Sequence, residues 1–377
     1  MRNRSICVAL ALSLLAAAQA GAAEAKVVKQ DLFVSGTHGY HTFRIPALIV
    51  TKKGTVLAFC EGRKSSRSDH GNIDLLMRRS TTNGLSWGKI RMLHEEGGDK
   101  KVTIGNPCPV IDQSTGVIWL TLCRNNVDVL VMHSKDDGVT WSKPVDITKS
   151  VKSPKWTWYA TGPGVGIQLQ RGKYKGRLVI PCDHGEKIKG RRVMFSHVFY
   201  SDDHGKSWRH GSSLDRHTDE CQVIERLDGT LLINMRNYWG RAGGRPDRGS
   251  MRAVATSKDG GQTWSKLRFH PQLIEPVCQA SLIQYPKPIG GASNPLIFAN
   301  PASKNQRCKL TIRLSIDEGR SWGYSRLLHP TSSAYSCLTV LSDGTVACLF
   351  EGGRGKKGYD RLILARFPVK WIMGKDK

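Results

Sequence analysis

The chain has 377 residues, 39% of them hydrophobic, and carries 57 Lys and Arg against 31 Asp and Glu, a formal net charge of +26. Such an imbalance implies anionic partners, but the basic residues are spread along the whole chain rather than gathered into one stripe, which argues against a nucleic-acid binder and leaves an anionic glycan or a polyanionic cell surface. Beyond the first 25 residues no apolar stretch reaches the length of a membrane span, so no membrane-spanning protein is expected.

Met1–Ala25 carries Arg2 and Arg4, then the uncharged apolar run Ile6–Ala18, then small residues around Ala18-Gln19-Ala20. That order reads as a cleaved secretory signal, which predicts a secreted or periplasmic protein whose residues 26–377 form a single domain. The next element is a β-rich run around Val27–Val34. Six short Gly-turn hairpins follow, centred on Gly54, Gly116, Gly176, Gly229, Gly291 and Gly344, in steps of 62, 60, 53, 62 and 53 residues. Each is a turn signal between β-rich runs.

A second repeat, Ser-x-Asp-x-Gly-x-Ser/Thr-Trp, interleaves with the first. It is complete from Ser134, Ser201, Ser257 and Ser315, while the copy from Ser80 has Thr82 where Asp is expected. A short acidic side chain bonding nearby backbone N–H groups, a Gly supplying positive φ and a Trp packing between layers make this a turn device. A period near 58 residues divides 26–377 into about six units. Four strands per unit in a closed ring predict an all-β, six-bladed β-propeller of four-stranded antiparallel blades; a sandwich or parallel β-helix would need shorter, less even units. The last unit shows strands near 336–341, 345–350 and 361–367, so the Val27–Val34 run is expected to complete it and tie the termini together.

Ten cysteines suggest a disulfide framework at first, but Cys7 belongs to the leader and the remaining nine show no close-spaced pattern. Buried free thiols are expected, as at Cys60, Cys123 and Cys348 inside apolar runs. With neither a Cys-x-x-Cys nor a His-Glu-x-x-His pattern present, no metal and no cofactor is expected.

In a propeller blade the first strand runs down to the Gly hairpin and the second runs back up. Residues nine or ten before each Gly, and seven after it, therefore share one end of the ring. The first set holds Arg44, Asn106, Glu220 and Tyr335, and the second holds Glu61, Asp183, Arg236 and Glu351; loops reaching the same end carry Arg63, Asp69 and Arg307. The Ser-x-Asp boxes fall at the opposite end and read as scaffold. Charged groups at inner strand ends are costly unless paired or used. A structural ion-pair network explains any single member; three guanidiniums from Arg44, Arg236 and Arg307 explain the set better, because together they suit one carboxylate with fork geometry.

Phe43-Arg44-Ile45-Pro46 followed by several Ser-x-Asp-x-Gly-x-Thr-Trp boxes resembles the sialidases, in particular the bacterial exo-sialidase group with a six-bladed propeller. The resemblance covers essentially all of 26–377. It implies that Arg44, Arg236 (Asn234-Met235-Arg236-Asn237) and Arg307 (after Asn300-Pro301) form an arginine triad that holds the carboxylate of sialic acid, with Arg313 a competitor for the third place. It implies Asp69 as acid/base, with Asp74 its rival, Tyr335 as nucleophile, Glu220 as the partner of that tyrosine, and Glu351 as the carboxylate that holds Arg44. Glu61 and Arg63 would extend the floor.

A phenol suits a substrate that carries a carboxylate on its anomeric carbon, since an Asp or Glu nucleophile would meet like charge; Glu220 would take the phenol proton. Sialidases that use a tyrosine nucleophile depart from the two-carboxylate glycosidase scheme. The implied activity is hydrolysis of terminal α-sialosides, with retention, from glycoproteins, glycolipids and oligosaccharides. A propeller lectin without turnover, a trans-sialidase and a hydrolase of a related nonulosonic acid remain alternatives. Trp156–Gly164 is the expected aromatic lining. Asn106 stands where some relatives have Asp, and His184 is open between a sugar contact and a surface residue.

Overall fold

The structure, a computed structural model, describes residues 26–353 and 358–374; the expected leader over 1–25 lies outside the described residues. Antiparallel sheets follow one another along the chain. The first pairs Thr42–Val50, Val56–Arg63, Ile73–Ser80 and Arg91–His94, and the second Ile104–Ile111, Ile118–Arg124, Asp128–Ser134 and Val145–Asp146. The third runs Trp156–Thr161, Leu178–Ile188, Arg191–Ser201 and Arg209–His210, with Ile167–Gln168 added beside Leu178–Ile188. The fourth holds Thr218–Glu225, Leu231–Asn237, Met251–Ser257 and Arg268–Ile274.

The fifth sheet departs from the expectation of separate four-stranded blades. It has seven strands, in the order Val28–Val34, Arg361–Phe367, Val346–Gly352, Tyr324–Val340, Cys308–Ser315, Leu296–Pro301 and Ser281–Gln284. The count is therefore five sheets rather than six. The cause is the 17-residue strand Tyr324–Val340, whose first part pairs with Cys308–Ser315 as far as Ser332, and whose second part pairs with Val346–Gly352 from Ser333 on. The six Gly hairpins nevertheless all form, each Gly at positive φ.

Apolar cores lie between neighbouring sheets. Ala47, Phe59 and Met77 of the first pack on Leu120, Leu122 and Met132 of the second; Cys108 and Val110 meet Ile180 and Phe199; Val198 and Tyr200 meet Val223 and Ile233; Leu232 and Val254 meet Leu296 and Phe298. Leu32, Phe33 and Leu349 of the fifth sheet pack on Phe43, Leu48 and Cys60 of the first, which closes the ring. A further core, around Leu310, Ile312, Val346 and Phe350, lies between the two halves of the seven-stranded sheet. The Val28–Val34 strand pairs with Arg361–Phe367, as the sequence predicts.

The nine described cysteines are all free, eight of them buried. Among the described residues no helix is long and apolar enough to cross a membrane.

Candidate active site

Sequence dictates where the inner strands break register, and those breaks create the site. Pairing shifts between Arg44 and Ala47, Gly105 and Cys108, Thr218 and Cys221, and Ser333 and Ser336. These bulges contain Ile45, Asn106, Asp219 with Glu220, and Tyr335, and a bulge re-aims the side chains it carries. Two of them precede proline, and Ile45 (φ 58°) and Asn106 (φ 54°) sit in the left-handed region. For a β-branched residue such as Ile45 that costs about 1–3 kcal/mol and needs compensation. It comes from carboxylates on the neighbouring strands: Ile45 N–H donates to Glu351 Oε1 at 3.0 Å, and Asn106 N–H to Glu61 Oε1 at 2.9 Å.

One pocket of about 350 Å³ opens at this end of the ring, lined by Arg44, Arg63, Asp69, Glu220, Arg236, Arg307 and Tyr335 among others. Arg44 binds Glu351 through Nε and Nη2, at 2.9 and 3.2 Å, and reaches Asp69 Oδ1 with Nη1 at 3.1 Å. Arg63 donates Nε to Glu61 Oε2 at 2.9 Å, and its Nη1 also lies 2.9 Å from Asp69 Oδ1. Burial disfavours the Asp69 anion, but Arg63 and then Arg44 outweigh it and hold the carboxyl below its usual range. The Asp69 side chain is 60% exposed, whereas Arg44 and Glu351 are buried, so it is the partner of Arg44 that a ligand can displace.

Across the pocket, Tyr335 donates its hydroxyl to Glu220 Oε1, and Arg236 Nη1 bridges the two, 2.7 Å from Glu220 Oε2 and 3.1 Å from the Tyr335 hydroxyl. Burial and the Glu220 charge push the phenol well above its ordinary value. Arg236 Nη2 donates to the Tyr238 hydroxyl at 2.6 Å. Arg307 lies over the Tyr335 ring at 5.6 Å and donates to the Tyr359 hydroxyl at 3.0 Å; among the described residues it has no carboxylate partner.

Every site residue the sequence singles out therefore meets the others in one network, with Glu351 behind Arg44 and Glu61 behind Arg63. Of the rivals, Asp74 is buried, bound to the Tyr40 hydroxyl at 2.7 Å and to Lys64, away from the pocket lining. Arg313 is buried on Asn300 Oδ1, its cation pushed by burial down to about 10, and it does not line the pocket. His184 is neither a sugar contact nor a surface residue. It is fully buried, stacked on Trp156 at 3.6 Å and bonded to His197 at 3.0 Å. In the Trp156–Gly164 stretch, Trp158 and Ala160 line the pocket while Trp156 packs behind it; Asn106 is also on the wall. Sequence reasoning missed Asp219, Tyr238 and Arg192 in the lining. Asp219 could have been found as the residue sharing Glu220's bulge.

Residues 54–348 match the family model described as a BNR repeat-like domain. A sialidase of Micromonospora viridifaciens is 32% identical over 99% of this chain and 61% of its own length. An exo-alpha-sialidase of Aspergillus fumigatus is 32% identical over 89% of this chain and 86% of its own. Among solved structures, the Hadza microbial sialidase Hz136 superposes with a TM-score of 0.80 at 30% identity, covering 91% of this chain and 69% of that one. The chain spans about three fifths of the length of the bacterial curated relatives it matches.

Proposed function

The chain belongs to the sialidase family, and on that premise we propose that it is an exo-α-sialidase, releasing terminal sialic acid from glycoproteins, glycolipids or oligosaccharides with retention through a glycosyl-tyrosine intermediate. The observation that carries the reading is the Tyr335 hydroxyl held between Glu220 and Arg236, in the same pocket as Asp69, Arg44 and Arg307.

The substrate carboxylate enters the arginine cluster and takes the place of Asp69 on Arg44. Released from that cation, Asp69 loses part of what keeps it ionised, so substrate binding itself favours the protonated form needed of a general acid. Tyr335 attacks the anomeric carbon as Glu220 takes the phenol proton, and Asp69 gives its proton to the leaving oxygen. Water, deprotonated by Asp69, then attacks the anomeric carbon and breaks its bond to the Tyr335 oxygen, while Glu220 returns the proton to Tyr335. Two inversions give net retention. Arg236, touching both Glu220 and the phenol oxygen, stabilises the phenolate as it develops.

Hydrolysis of a fluorogenic α-sialoside by residues 26–377 tests the reading. Tyr335→Phe is expected to lower kcat by more than roughly 10²-fold, and Glu220→Gln by roughly 10²–10⁴-fold, the range of a lost general base. Sialoside binding by the parent without turnover would make the protein a lectin instead. Transfer of sialic acid to added lactose in preference to water would make it a trans-sialidase. We further propose that 1–25 is an export signal and that the protein is secreted or periplasmic; the mass of the exported chain checks the cleavage.

A further inference from the structure

Beside the tyrosine and its glutamate lie two carboxyl groups that the proposed reaction leaves unused. Asp183, on Leu178–Ile188, and Asp219, in the bulge beside Glu220, are 1% and 6% exposed, and both line the pocket. The Trp158 indole N–H donates to Asp183 Oδ2 at 2.9 Å, while Asp183 Oδ1 is buried without a donor from any other described group. The strands that carry them meet beside these residues, where Cys221 Sγ lies 3.3 Å from the Cys182 carbonyl, and burial and then the Asp219 charge disfavour ionisation of Asp183. Arg236 Nε faces Asp219 Oδ2 at 3.5 Å without a hydrogen bond, and its Nη1 is already engaged by Glu220.

Three full negative charges around one guanidinium, in a pocket that must also admit an anion, are not tolerated by burial. Two neighbouring buried carboxyls resolve this by holding one proton between them, and the orphaned Oδ1 is the atom of Asp183 left to carry it. Burial, against the opposing Arg236 and with the help of Glu220, pushes Asp219 up to about 6, and burial with the Asp219 and Glu220 charges holds Asp183 well above the usual range. The other titratable or charged groups around the pair are Glu220, Arg236, Tyr238, His217 and Arg192 of the lining and, on the far side of Leu178–Ile188, the neutral His184.

We propose that Asp183 and Asp219 act as one carboxyl pair holding a single proton, a positioning unit that keeps Arg236 directed at Glu220 and Tyr335 and keeps the pocket's negative charge low enough to admit a sugar acid. The choice of a sugar acid rests on the sialidase reading; the shared proton rests on the burial of both carboxyls and on the orphaned Oδ1.

The infrared spectrum of the full chain, with no substrate, tests the proton. A neutral-carboxyl band is expected to persist at about pH 7.5, where ordinary Asp and Glu are ionised, and to vanish in Asp183→Asn. Kinetics test the positioning. Asp183→Ala, which strips the contacts to Trp158 and Asp219, is expected to raise KM for the α-sialoside about tenfold, the scale of one lost buried hydrogen bond. Asp183→Asn, which offers N–H to Asp219 and a carbonyl to Trp158, is expected to recover most of that loss and to erase a step in KM near pH 6 seen in the parent. Absence of the band from the parent overturns the shared proton, and equal damage from Asn and Ala overturns the positioning role. A parent that shows the band but is inert to sialosides supports the pair and sinks the sialidase reading.

Discussion

Glu351 accepts four hydrogen bonds, from Arg44 Nε and Nη2 and from the backbone N–H groups of Ile45 and Tyr335. One buried carboxylate thus holds Arg44, the strained residue beside it and the backbone of Tyr335. Glu351→Gln, which leaves Arg44 buried and under-compensated, is expected to lower stability by about 3–5 kcal/mol and kcat/KM by more than the fraction unfolded explains; urea unfolding and kinetics on the same preparation separate the two. Gly105 serves the matching lock on the next sheet, since a Cβ there would lie 2.2 Å from Glu61 Oε1. At this scale the sequence was legible where register alone decides, because a carboxylate seven residues after a hairpin Gly points to the same end as an arginine ten before it. It did not reach every residue of a bulge, since counting from the Gly selects Glu220 and passes over its neighbour. Asp219 faces the pocket only because the register slips around it, and His184 is buried because rings from both strands beside its own, Trp156 and Phe195, stack on it.

The Ser-x-Asp boxes repeat one hydrogen-bond pattern. In the copy from Ser134, Ser134 Oγ donates to Asp136 Oδ1 and accepts from Gly138 N–H, both at 2.9 Å, and Thr140 N–H donates to Asp136 Oδ1 at 2.8 Å. Thr82 fills the Asp role in the copy from Ser80, its Oγ1 accepting from Ser86 N–H at 2.9 Å, so the sequence exception is no structural exception. The glycine is required twice over at Gly205, where φ is 87° and a Cβ would lie 2.2 Å from the Trp119 ring. Gly205→Ala is expected to cost about 1–3 kcal/mol, the scale of core overpacking, while leaving KM unchanged; a raised KM would show that the boxes reach the site. The boxes lie on the turns between third and fourth strands, as their spacing predicts. The seven-stranded sheet was not legible, because the sequence places a strand only near 336–341, whereas Tyr324–Val340 begins well before it and continues past Pro330 by bulging.

Ring closure is the property of the whole molecule. Phe33 and Leu32 come from the first described strand and pack on the first sheet through the last. Phe33→Ala is expected to cost about 3–5 kcal/mol and to lower the single unfolding midpoint rather than detach one end, as calorimetry would show. Acid acts on the whole fold through the buried imidazoles. Burial pushes His184 down to about 3 and His197 well below its ordinary value, while in the unfolded chain both return to about 6.5. The unfolded state then binds more protons, so this contribution is complete above about pH 6.5 and is lost as pH falls below it; Asp219, raised by burial, acts in the opposite sense between about pH 4 and 6. The parent is expected to lose stability between about pH 7 and 5 more steeply than His184→Phe, which isolates the imidazole contribution. The net charge of +26 acts at the same scale: if the proposed activity holds, kcat/KM for anionic glycans is expected to rise as ionic strength falls. The central claim is that Tyr335 forms a covalent bond to the sugar. Mass spectrometry after reaction with a fluorinated sialosyl fluoride, which slows release of the intermediate, tests it directly. One added fluorosialosyl mass is expected on the peptide containing Tyr335 and none in Tyr335→Phe; turnover with no adduct, or an adduct on another residue, would rule out the glycosyl-tyrosine.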